Sequence, residues 1–96
     1  MKIAKVVGNV VSTIKGEHLA GYKLMIVQPL DINRKPRGTS RIALDGADAG
    51  IGDIVLLNND GGAAVMIFND KKLIADDTIA GVIDSYTFDA NTVRLK

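Results

Sequence analysis

The stretch "LDGADAGIGDIVLL", Leu44 to Leu57, holds the residues best suited to chemistry: Asp45, Asp48 and Asp53 among the glycines Gly46, Gly50 and Gly52. A glycine-rich turn can cradle phosphate with its backbone N–H groups, and three carboxylates can hold a hard cation. Neither pattern is complete. Gly50-Ile51-Gly52 supplies the first two glycines of a dinucleotide fingerprint, but Val55 stands where the third belongs. An apolar β run follows in place of the helix whose N-terminus would face a pyrophosphate. The Gly-Lys-Ser/Thr of a P-loop is absent, and the aspartate spacing lacks the closing glutamate of an EF-hand. What remains is a tight connection between strands, with glycines for backbone freedom and aspartates for turn hydrogen bonds.

The other reactive side chains are equally sparse. His18 is the one histidine, in a polar loop beside Glu17, with no Ser or Cys nucleophile arrangement around it and no second ligand. Arg34, Lys35, Arg37 and Arg41 form the concentrated basic stretch. Small barrels that bind single strands interleave such cations with stacking aromatics. Here the aromatics are Tyr22, Phe68, Tyr86 and Phe88, none of them within the stretch, so a solvated hairpin tip is the simpler reading. The carboxylates are scattered along turns and nominate no acid–base pair. Without cysteine, disulfides, thiolate chemistry and zinc ribbons are excluded. No cofactor and no metal is expected.

The elements that must position these residues are short. "KIAKVVGNVVSTI" reads as a long strand, with Lys5, Asn9 and Thr13 on one side of the pleat and Ala4, Val6, Val10 and Ile14 on the other. Gly8 inside it permits a bulge or a sharp bend. "YKLMIVQPL", "TSRIALD", "DIVLLN" and "AAVMIF" are further strands, separated by "DINRKPRG", the glycine-rich loop and "NNDGG". "IADDTIAGVID" opens with a single helical turn around Asp76–Thr78, after which "AGVIDSYTF" extends as one strand and "NTVRL" closes the chain. No segment sustains a 3.6-residue period over the 11 or more residues of a convincing helix. Short strands with frequent turns predict an all-β fold, a small closed or nearly closed barrel.

Ninety-six residues suffice for one domain, residues 1–96, and a chain this small buries only about 60–65% of its unfolded surface. With 47% apolar residues, much of that content is available for subunit contacts as well as the core. A net charge of +1 gives no electrostatic footprint for nucleic acid. Lys5 interrupts the faintly leader-like N-terminus, and no apolar run approaches the roughly 20 residues of a membrane span. The chain is expected to be soluble and to stay where it is made.

Four segments in order, "KVVGNVVSTIK", "LAGYKLMIVQPLD", "IALDGADAGIGDIVLL" and "IAGVIDS", resemble the EutN/CcmL family, the pentameric vertex proteins of bacterial microcompartment shells. The resemblance runs from Met1 to about Ser85. It implies an OB-like β-barrel and a ring of five copies that closes a shell corner in the bacterial cytoplasm. Its partners would be its own copies and the hexameric tiles of the facets, because sixfold tiles alone make flat sheets. No enzymatic activity is implied. The family's Asp-x-x-Gly-Ala-Gly-x-Gly-Asp/Glu segment falls on Asp45, Asp48, Ala49, Gly50, Gly52 and Asp53, with Asp48 where the family has glycine. Asp48, Ala49, Gly50 and Gly52, together with Gly61, Gly62 and Ala63, become candidates for the subunit interface or the region of the pore. "GGAAV" (Gly61 to Val65) stands where the family carries Gly-Ser-Ser-Ala-Arg, and "IADD" (Ile74 to Asp77) where it carries Pro-Val-Asp-Ala. The rival reading is an OB-like single-strand-binding module centred on Arg34 to Arg41.

Overall fold

The computed structural model describes residues 1–10, 23–59 and 77–95. Seven strands run in chain order: β1 (Lys2–Val10), β2 (Leu24–Leu30), β3 (Arg41–Asp45), β4 (Ile54–Asn58), β5 (Thr78–Val82), β6 (Ser85–Phe88) and β7 (Asn91–Arg94). The first five close into a barrel in the order β1-β2-β3-β5-β4. All its neighbouring pairs are antiparallel except β3 with β5, which is parallel. Among the described residues there is no helix. The expected strand "AAVMIF", His18 and the candidates Gly61, Gly62 and Ala63 lie outside the described residues.

Alternation puts a small aliphatic core inside the barrel. Ala4 and Val6 of β1, Met25 and Val27 of β2, Ala43 of β3, Val55 and Leu57 of β4 and Ile79 of β5 are buried together. The narrow bore explains the mix of sizes, since the alanines and valines leave room between the curved strands for Met25, Leu57 and Ile79.

Gly8 does sit at a bulge. Val6 faces Val27 and Gly8 faces Ile26, which leaves Val7 as the extra, exposed residue. A Cβ on Gly8 would lie 3.4 Å from Ile26 Cδ1, so its small size lets Ile26 fold over the strand. The inserted residue also shifts the alternation. Beyond it Asn9 is opposite the buried Met25 and Val10 opposite Leu24, so Val10 does not continue the register of Ala4 and Val6.

Two further expectations are corrected. Thr78 does not belong to a helical turn: it opens β5, partnered by Leu44 on one side and Asn58 on the other. Its backbone is claimed by the barrel, which outweighs a local turn preference. Nor is "AGVIDSYTF" one strand. The Ile83 N–H makes a last bond to the Ile54 carbonyl at 2.8 Å, and the Asp84 carbonyl then accepts from Leu95 N–H at 2.8 Å. The chain thus leaves the barrel at Asp84 and continues as a separate two-stranded hairpin, β6–β7. Asp89 and Ala90 turn it with φ of 52° and 64°, the positive pair that a tight type I′ hairpin turn requires.

Candidate functional site

The loop between β3 and β4 is pinned from both ends. Asp45, buried at the end of β3, accepts from the N–H of Ala47 at 2.9 Å and of Ala49 at 2.8 Å. Asp53, at the other end, accepts from Gly50 N–H at 2.8 Å, while its own N–H returns to the Gly50 carbonyl at 3.1 Å. Two of the three aspartates therefore hold turns, as the sequence predicts, and their carboxylates are already committed to backbone donors. No cluster of carboxylates or histidines fit for a metal occurs among the described residues.

The loop also closes the barrel. Ala49 is fully buried and belongs to the core cluster, so its methyl group plugs the barrel. The Gly52 N–H donates to the Val6 carbonyl at 2.8 Å, and the Val6 N–H donates to the Asp53 carbonyl at 2.9 Å. These bonds hold the loop to β1 immediately before the bulge. Between the inward Ala49 and the anchored Gly52, the Gly50-Ile51 tip faces outward, and Ile51 is 65% exposed. Within its own chain a Cβ on Gly50 would meet nothing nearer than Asp53 Oδ2 at 3.7 Å, and one on Gly52 nothing within 4 Å. The need for glycine differs at the two positions. Gly52 has φ of 97°, where an L side chain is strained, whereas Gly50 does not have positive φ.

Lys23, just before β2, is a site residue that the sequence reading missed. Its Nζ donates to the Ala49 carbonyl at 2.7 Å, lies 3.4 Å from Asp45 Oδ2, and reaches Asp48 Oδ1 at 3.7 Å. The ammonium thus compensates the buried Asp45 carboxylate and ties the loop to β2. Its signal in the sequence was faint, a lone lysine at the head of an apolar strand, and the contact spans 26 residues. Asp48 itself, with φ of 53°, turns its carboxylate fully into solvent.

The basic stretch is organised differently. Asp31 caps a tight turn, accepting from the N–H groups of Asn33 and Lys35 at 2.9 Å each. Arg34 at the turn's corner has φ of 65° and donates through Nη1 to Tyr86 Oη at 2.8 Å. Tyr86 in turn donates to the Ile32 carbonyl at 2.5 Å. Arg41 pairs with Asp77 at 2.7 Å, where the carboxylate is 5% exposed. The structure therefore brings Tyr86 and Phe88 beside the basic turn, which the sequence alone does not show. It also pairs Arg41 with the Asp77 carboxylate, while Arg34 donates to a neutral hydroxyl and keeps its charge.

Comparison with known proteins agrees with the barrel. The "Bacterial microcompartment shell vertex protein GrpN" of Rhodospirillum rubrum is 35% identical over 85 residues, covering 88% of this chain and 94% of that one. The solved structure of Gloeobacter violaceus CcmL superposes with a TM-score of 0.86 at 32% identity, covering 96% of this chain and 94% of that one. The structure described as the GrpN pentameric microcompartment shell protein from Rhodospirillum rubrum gives 0.78 at 33% identity, covering 92% and 99%. The family model described as "Ethanolamine utilisation protein EutN/carboxysome" matches residues 1–84, which hold all five barrel strands and the pinned loop, and the chain belongs to this EutN/CcmL family.

Proposed function

We propose that this chain is a structural, non-enzymatic protein, a single vertex domain whose five-membered ring closes the corners of a bacterial microcompartment shell in the cytoplasm. The observation that carries the reading is the family match over residues 1–84, with close superposition on vertex proteins, one described as pentameric. Physical features support it. The five described barrel strands close on one another, so the barrel offers a neighbour mainly side-chain faces and loops, among them the outward Gly50-Ile51-Gly52 tip, where glycines permit close approach. We place Asp48, Gly50 and Gly52 at or near the subunit contact, with Ala49 holding the loop in position from inside the barrel. Gly61, Gly62 and Ala63 remain candidates for the same region. The partners of the ring's rim would be hexameric shell tiles. Native mass spectrometry tests the ring directly: a species of five subunits is expected, and a monomer at every concentration overturns the proposal.

A further inference from the structure

A heterologous ring needs two different faces on each copy that fit one another. Ile51 supplies a candidate for the first. It projects from a loop tip between two glycines, 65% exposed, with the solvent-facing carboxylate of Asp48 on the same loop. A groove of about 190 Å³ between the Ile32–Arg34 turn and the β6–β7 hairpin supplies the second. Register explains its lining. Tyr86 and Phe88 are two residues apart on β6 and Tyr86 is opposite Val93, so these three share one face of the hairpin, while Thr87 and Thr92 hydrogen-bond on the other.

The hairpin's apolar face is incompletely covered by its own chain. Phe88 is 56% exposed, and the Arg34–Tyr86–Ile32 hydrogen bonds tie the hairpin to the neighbouring turn. A two-stranded hairpin is marginal in water without such cover. Tyr86, Phe88 and Val93 give this solvent-open groove an apolar wall opposite the polar Asn33–Arg34 turn, with room for the tip of a side chain.

We propose that, in the ring, Ile51 of one copy seats in this groove on the next copy, bringing Asp48 toward Arg34. The inference rests on the ring reading above and deepens it by pairing two faces. Charge agrees in sign, since the knob's loop carries an exposed carboxylate and the groove's turn carries Arg34 and Lys35. Ile42, also exposed, is a weaker candidate because it lies within strand β3 and not on a loop tip. The pairing gives a role to the hairpin, which begins directly after the family-matched residues 1–84.

The chain has no cysteine, which makes the test clean. The double variant Ile51→Cys/Phe88→Cys, treated with a short bis-maleimide, is expected to yield a ladder of covalent oligomers ending at the pentamer. Each single variant is expected to yield no ladder. A double variant that forms pentamers by native mass spectrometry but gives no ladder overturns the pairing and leaves the ring intact. A wild-type chain that stays monomeric overturns the ring reading, and the pairing with it. Should the cysteines themselves prevent assembly, Ile51→Glu decides, because Ile51 is 65% exposed and its loss does not disturb the fold: the pentamer is expected to be depleted with the melt of the dissociated chain unchanged. Wild-type assembly of Ile51→Glu overturns the pairing.

Discussion

Replacing Gly50 with leucine separates a subunit contact from a folding requirement. Within one chain the position has room for a side chain to begin. Gly50 does not have positive φ, and an added Cβ meets only Asp53 Oδ2, at the ordinary contact distance of 3.7 Å. Removing a glycine from the unfolded ensemble should stabilise the monomer slightly, by about 0.4–1 kcal/mol on the Gly-to-Ala scale. In a ring that packs this tip against a neighbour, overpacking costs about 1–3 kcal/mol at each contact. That weakens each contact by about 5- to 150-fold, and a pentamer like that of GrpN repeats the contact five times. Native mass spectrometry over a dilution series should therefore show Gly50→Leu dissociating at concentrations where the wild type remains a ring. Circular dichroism melts of the dissociated chains should show no loss of stability. Gly52→Ala is the contrasting control. Its φ of 97° strains any L side chain, so it should destabilise the monomer by about 1–2 kcal/mol whether or not a ring forms. If Gly50→Leu assembles with wild-type concentration dependence, the placement of the tip at the contact is wrong.

Asp45→Ala removes two hydrogen bonds from buried or half-buried backbone donors to a carboxylate and leaves the Ala49 N–H unpaired. A loss of about 3–5 kcal/mol is expected in urea unfolding, a large share of the stability of a domain this size; a change under 1 kcal/mol would refute the anchoring role assigned to Asp45. Ala90→Gly relieves an alanine held at φ of 64° and should raise hydrogen-exchange protection of the β6–β7 amides by about 1 kcal/mol, with the barrel amides unchanged. Unchanged hairpin protection would show that the turn carries no such strain. Fluorescence anisotropy with a labelled single strand should show no binding that weakens with salt, because the net charge is only +1 and Arg41 is already paired with Asp77. Salt-sensitive binding lost in an Arg34→Ala variant would restore the nucleic-acid reading.

The sequence by itself determined the class of fold and the bounds of most described strands. Pleat periodicity in "KIAKV" and "LMIVQPL" depends on neighbouring residues along the chain, so it is legible without the fold. It also determined the turn-holding work of Asp45 and Asp53, because an aspartate's reach to the backbone two to four residues away is local. Tertiary structure decided what those local features face. The bulge at Val7 moved Val10 out of the expected register, and the barrel's claim on Thr78 replaced a helical turn with strand. Departure from the barrel at Asp84 divided one expected strand between two sheets. The Lys23–Ala49 bond spans 26 residues and the Arg34–Tyr86 bond spans 52. Such partners are chosen by how five strands close on one another, and no window along the chain carries that information. The same closure turns Ala49 into the barrel's plug and leaves Ile51 outside, which separates the part of the motif that serves the fold from the part free to meet a neighbour.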